Sequence, residues 1–178
     1  MRLFVEVPLP EELRERIAAL GKEIEQEGIK LVKPQNMHAT LKFIGETHEK
    51  KLGEIEKRLQ DVTFSPFKCS LKGVGVFPDE SYIRVVWVGV ESNGQLEKLA
   101  GDVISSLKGY GKDDRFSAHI TVARVKKKVD LKEFLERHKD DELGEFEVKG
   151  FQLTESVLSR EGPAYSVIAS FQAEEKDA

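Results

Sequence analysis

A four-residue pattern, His-x-Thr followed by Leu or Val, occurs twice in this chain: His38-Ala39-Thr40-Leu41 and His119-Ile120-Thr121-Val122. Each copy runs on into apolar residues at strand-like density, Lys42-Phe43-Ile44 after the first and Ala123-Arg124-Val125 after the second. Side chains of an extended strand alternate faces, so a His and a Thr two apart point the same way. Ala39 and Leu41, or Ile120 and Val122, then point into a core. Each copy reads as a strand with an apolar back and a polar front that carries one imidazole and one hydroxyl. Two such strands facing each other would bring four polar groups to one spot.

The surrounding order of elements repeats as well. Arg2 to Val7 reads as a strand. Pro10, Glu11 and Glu12 then open a helix, with proline early in the first turn and acids at its positive end. Leu13, Ile17, Leu20 and Ile24 carry its apolar face, and Gly28 closes it. Residues 31–34 are a short connection to the first His-x-Thr strand, which ends at Gly45. Leu52, Ile55 and Leu59 mark a second helix, and Phe67 to Phe77 a longer strand. The order then restarts: a strand from Arg84 to Val90, a helix bearing Leu96, Leu99, Val103, Ile104 and Leu107, and the second His-x-Thr strand. A short helix with Leu131, Phe134 and Leu135 follows, then a strand within Phe146 to Leu158 and a last one from Tyr165 to Phe171. Arg2 and Arg84 lie 82 residues apart and the two histidines 81. This near-constant register argues for an internal duplication. The expected fold is a single bilobal α+β domain over 1–178. Its two lobes of antiparallel sheet are related by a pseudo-two-fold axis, with helices outside and a cleft between. By the repeat the lobes cover about 1–80 and 81–173, and 174–178 form a disordered tail.

Composition narrows the class. The chain has 178 residues, 39% hydrophobic and 34% charged. It has no run of about 18 apolar residues that could span a bilayer, and cytoplasm is the expected location. The lone Cys69 forms no internal disulfide. A net charge of -4 argues against a long basic track for nucleic acid, so any contact with RNA should be short and local. The chain shows no second apolar stripe, and a monomer is expected.

Paired imidazoles suit phosphoryl chemistry at a cyclic diester. With an ordinary pKa near 6.5, one ring can be neutral and activate water while the other is protonated and supplies the leaving oxygen with a proton. Threonine hydroxyls can donate to the phosphate oxygens as charge builds there. No cofactor is needed. A metal is not expected, since two histidines alone make a poor site and the nearby Lys42 and Arg124 would repel a cation. His48 and His138 lack the motif and read as solvated surface. Lys126-Lys127-Lys128 reads as a charged strand end.

The double motif resembles the signature of the 2H phosphoesterase superfamily, and more narrowly its RNA 2',3'-cyclic phosphodiesterases, historically called 2'-5' RNA ligases. The likeness extends to Arg2-Leu3-Phe4-Val5 with Pro10-Glu11-Glu12, Pro34 through Gly45, Gly75-Val76-Phe77-Pro78 and Trp87-Val88-Gly89-Val90. It also takes in Phe116 through Arg124, Leu153-Thr154-Glu155-Ser156, Gly162 and Tyr165. The resemblance implies opening of an RNA 2',3'-cyclic phosphate to a 2'-phosphate without metal. His38 would be the proton donor and His119 the acceptor, with Thr40 and Thr121 holding the phosphate. Arg124, five after His119, matches a phosphate-site position of the family. Strict alternation puts it on the opposite face from His119, so the assignment requires a bulge. Lys42, four after His38, has front-face parity and is the other candidate phosphate ligand. Phe43 falls on the core face by the same parity and is not expected to stack on a base. Ala118 departs from the family, where proline commonly precedes the second histidine. Partners implied are RNA ends, tRNA fragments or small cyclic nucleotides, with no membrane and no obligate protein. Two other readings are 2'-5' joining of cleaved tRNA halves and a non-catalytic RNA- or nucleotide-binding module.

Overall fold

The computed structural model describes residues 1–112 and 115–174. Its strands are β1 (Arg2–Pro8), β2 (Ile29–Leu31), β3 (His38–Glu46), β4 (Phe67–Asp79), β5 (Tyr82–Glu91), β6 (His119–Val125), β7 (Glu142–Val148), β8 (Gly150–Ser159) and β9 (Gly162–Gln172). The helices are α1 (Glu11–Lys22), α2 (Leu52–Gln60), α3 (Gln95–Ser106) and α4 (Lys132–His138). None of these helices is long and apolar enough to cross a membrane. The expected α+β class holds. One sheet has the order β3-β1-β8-β9 and the other β2-β6-β5-β4-β7, with every pairing antiparallel.

The repeat is visible as β1 beside β3 in one sheet and β5 beside β6 in the other. The sheets nonetheless do not divide the sequence near residue 80. β4 from the first half pairs with β5, and β8 from the second half pairs with β1. A single apolar core joins both sheets, built from residues such as Leu3, Ile17, Leu71, Val88, Leu99 and Leu153. α1 presents Leu13, Ile17 and Leu20 to that core as its spacing requires.

Three local features were not expected. The connection before Pro34 contains β2, which pairs Ile29–Leu31 with Val125, Arg124 and Ala123; three residues are too few to show an alternation. The stretch expected to hold one strand holds two, β7 and β8, separated at Lys149. His138 is lodged between Asp141 and Glu23 with 12% of its side chain exposed, so it is a bridge between α4 and the chain after α1 and not a solvated group. At the C-terminus Glu174 donates its backbone N–H to the Phe64 carbonyl; the rest of the expected tail, 175–178, lies outside the described residues.

The feature that shapes the site is a bulge repeated in both motif strands. Across β1 and β3, Glu6 faces Thr40 while Val5 faces Lys42, which leaves Leu41 as the extra residue. Across β5 and β6, Trp87 faces Thr121 while Val86 faces Ala123, and Val122 is the extra residue. One extra residue reverses the alternation beyond it. Lys42 is therefore turned inward and is 6% exposed, whereas Phe43 comes to the front at 59%. Arg124 stands in the matching exposed position of β6, so the bulge its assignment required is present. The parity argument that placed Phe43 in the core fails for the same reason.

Candidate active site

His119 lies at the start of β6 with Nδ1 2.8 Å from the Ser117 carbonyl. A carbonyl only accepts, so Nδ1 carries the hydrogen and Nε2 is the free ring nitrogen. Phe77 meets the ring edge-on with centroids 5.1 Å apart. Phe77 is backed by Trp87 at 5.3 Å, and the indole occupies the space above Gly75. A Cβ on Gly75 would fall 2.2 Å from Trp87 Cζ2, so only glycine admits the indole here.

His38 opens β3. The backbone of Asn36, again two residues back, favours its protonated form, as Ser117 does for His119. Phe4 stacks on the ring at 5.0 Å, and Tyr165 approaches both rings edge-on, at 5.5 Å from His38 and 5.0 Å from Phe4. Glu6 on β1 places Oε2 3.1 Å from His38 Nδ1, within ion-pair range but off the line of a hydrogen bond. Its other oxygen, Oε1, accepts a 3.0 Å hydrogen bond from the Thr154 hydroxyl on β8.

Burial dominates the electrostatics. It pushes His38 down to about 4, against the Asn36 backbone, with the charges of Arg124 and His119 acting in the same downward sense. His119 is lowered too, first by burial and also by Arg124. Glu6 is raised to about 7 by burial, only partly offset by the Thr154 hydroxyl. Arg124 thus acts on both histidines, and the two motifs meet at one place. Thr40 and Thr121 share the half-buried front positions of their strands.

Beside this centre is a cavity of about 330 Å³ lined by Thr40, Phe43, Phe77, His119, Lys112 and Arg115 among others. Lys42 also borders it, but its Nζ donates to the Lys112 carbonyl at 3.2 Å. It thereby ties β3 to the segment after α3. Gly111 brings that segment close: at φ +71, its Cβ would lie 2.6 Å from the Phe43 carbonyl oxygen.

The structure therefore groups His38, His119, Thr40, Thr121 and Arg124 and directs the charge of Lys42 elsewhere. Sequence reasoning missed Glu6 and misplaced Phe43, and it named Phe4, Phe77 and Tyr165 as part of the family likeness without a place beside the histidines. Glu6 had a signal, since it is an acid inside the run Leu3-Phe4-Val5-Glu6-Val7, and charges are rarely buried without a partner. Phe43 had none, because its place depends on the bulge.

With this geometry in view, the model of the LigT-like phosphoesterase family matches residues 7–87 and, a second time, 88–165, one match for each histidine. The chain belongs to this family. Among LigT-like phosphoesterases, a protein of Archaeoglobus fulgidus named RNA 2',3'-cyclic phosphodiesterase is 43% identical over 97% of this chain and 100% of its own. One of the same name from Methanocaldococcus jannaschii is 41% identical over 94% and 98%. A solved structure from Thermus thermophilus aligns with a TM-score of 0.86 at 32% identity, covering 99% of this chain and 100% of that one. The LigT of E. coli complexed with 3'-AMP gives 0.82 at 25%, covering 97% of each.

Proposed function

We propose that this LigT-like phosphoesterase hydrolyses RNA 2',3'-cyclic phosphate ends to 2'-phosphomonoesters by acid/base catalysis between its two histidines, without metal. The observation that carries the reading is the pair of half-buried imidazoles, from equivalent strands, both within the electrostatic reach of Arg124. His119, with its hydrogen fixed on Nδ1, offers the Nε2 lone pair to water. His38 protonates the departing 3'-oxygen. The water oxygen bonds to phosphorus as the P–O3' bond breaks, with one proton taken up at His119 and one released from His38. Thr40, Thr121 and Arg124 surround the charge that builds on the non-bridging oxygens.

The relatives named RNA 2',3'-cyclic phosphodiesterase and the E. coli LigT complex with 3'-AMP support a nucleotide-ended substrate. So does the adjoining cavity, where exposed Phe43 offers a stacking surface for a base and Lys112 and Arg115 offer charge to a neighbouring phosphate. The test is incubation with RNA ended by a 2',3'-cyclic phosphate, in EDTA, with the product assigned as 2'- or 3'-phosphate. A 2'-phosphate formed at undiminished rate in EDTA is expected. A 3'-phosphate, or activity abolished by the chelator, overturns the reading.

A further inference from the structure

The two halves of the site agree in their threonines and bulges, and they part company beside the rings. The register that sets Glu6 opposite Thr40 sets Trp87 opposite Thr121. His119 Nδ1 is hydrogen-bonded to the Ser117 carbonyl, with an indole nearby. His38 Nδ1 has the Asn36 backbone in the corresponding position but makes no hydrogen bond, and a Glu6 carboxyl oxygen lies 3.1 Å from it. We propose that Glu6 is a positioning residue that makes His38 the acid of the pair, holding next to Nδ1 the proton that replaces the one Nε2 gives up. The proposal rests on cyclic phosphodiester hydrolysis as the reaction.

Stability alone does not account for Glu6. It is 7% exposed and has one hydroxyl hydrogen bond, from Thr154, where an apolar side chain would avoid the cost of burying a carboxyl group. That cost is met at the place where an imidazole can share the proton. Because the Ser117 carbonyl accepts only, His119 is fixed with hydrogen on Nδ1 and a lone pair on Nε2, which is the form of a base. Glu6 can both donate and accept, so His38 can hold hydrogen on Nε2 while the carboxyl group is protonated. On turnover the Nε2–H bond breaks as the O3'–H bond forms, and the carboxyl proton passes to Nδ1 once the Glu6 carboxyl group rotates into line with it across the 3.1 Å gap. The couple loses one proton and ends as a carboxylate facing an Nδ1–H; solvent restores it.

The groups that face this couple are Phe4 from β1, the Asn36 backbone before β3, Thr154 from β8, Tyr165 from β9, and Arg124 and His119 from β6. Arg124 and His119 disfavour a second positive charge on the His38 ring. Storing the proton on a neutral carboxyl group avoids that charge. With Glu6 raised to about 7 and His38 lowered to about 4, the couple keeps one proton across that interval. A lone, half-buried His38 would have surrendered it.

The test measures kcat/KM against pH on a cyclic-phosphate-ended dinucleotide for the wild type, Glu6→Gln and Thr154→Val. In the wild type the alkaline limb is expected near pH 7, where the couple loses its proton. Glu6→Gln keeps the shape and removes the store, so the limb moves down by at least about one pH unit and activity at pH 7.5 falls by about eightfold or more. Thr154→Val removes the hydroxyl that lowers Glu6, so the limb moves up, a shift that mere damage to the fold would not produce. Imidazole 15N spectra of the free enzyme at pH 6 should show hydrogen on Nε2 of His38 and Nδ1 of His119, with the His38 pattern altered in Glu6→Gln. Unmoved limbs in an active enzyme overturn the role of Glu6. A wild type inactive on this substrate overturns the reaction instead. Should Glu6→Gln not fold, the upward shift in Thr154→Val decides alone.

Discussion

Phe43 and Arg124 occupy the same place in the two halves of the molecule. Each stands five residues after its histidine, and each is swung to the front by a single extra residue, Leu41 or Val122. The duplication thus supplies one position twice and fills it once with a flat ring and once with a cation. Of the two, the cation reaches both histidines.

Arg124→Ala should lower kcat by about 100-fold or more, the usual loss when a donor to developing charge is removed. Arg124→Lys should recover only part of it, since lysine restores charge without the planar fork. Steady-state kinetics on a cyclic-phosphate dinucleotide check both, and equal loss in KM alone would place the arginine in ground-state binding.

Phe43→Ala should leave folding almost untouched, because the ring is largely exposed. It should raise KM for RNA about tenfold, as expected for losing one base–aromatic stack of about 1–3 kcal/mol, with kcat nearly constant. Titration with 3'-nucleotides differing in base gives a direct comparison.

Gly75→Ala should destabilise the protein by about 1–3 kcal/mol, the range for overpacking, because its methyl group would collide with Trp87. The displacement passes through Phe77 to His119, so kcat should fall as well. Trp87 is the single tryptophan of the chain, and its fluorescence should shift in the variant while the rest of the core stays silent.

Stability should carry its own signature of Glu6. Its folded-state pKa is raised, to about 7, so the folded protein holds a proton that the unfolded chain has lost. Its contribution is full below the unfolded value near 4.5 and disappears as pH rises through about 7. Glu6→Gln has no such loss. The variant should therefore gain on the wild type between pH 5 and pH 8, by up to about 3 kcal/mol, measurable by urea unfolding at the two pH values. An identical pH dependence in both proteins would contradict the buried, proton-holding state of Glu6.

Most of the fold was legible because it rests on periodicity. Leu13, Ile17 and Leu20 in α1, and Ile120 and Val122 in β6, fall where helix and strand spacing put them. The repeat singles out both histidines and both threonines from the sequence alone. What escaped notice depends on pairing between strands distant in sequence. Nothing local to Lys42-Phe43 announces that Leu41 will be squeezed out of register, and Ile29–Leu31 becomes a strand only because β6 lies beside it. Glu6 and Thr154 are 148 residues apart, and their meeting follows from β8 returning to the first sheet. Alternation was a sound guide up to the first bulge and a misleading one after it.

That return of β8, matched by the passage of β4 into the opposite sheet, has an evolutionary edge. Two copies that each kept their own strands could be severed and remain independent proteins. Here the amino-terminal copy leans on a hairpin encoded at the far end of the chain, and the carboxy-terminal copy has its central ladder completed by a strand encoded before its own beginning. Neither copy owns a whole sheet, so a cut near residue 80 should yield two fragments that fold only by finding each other.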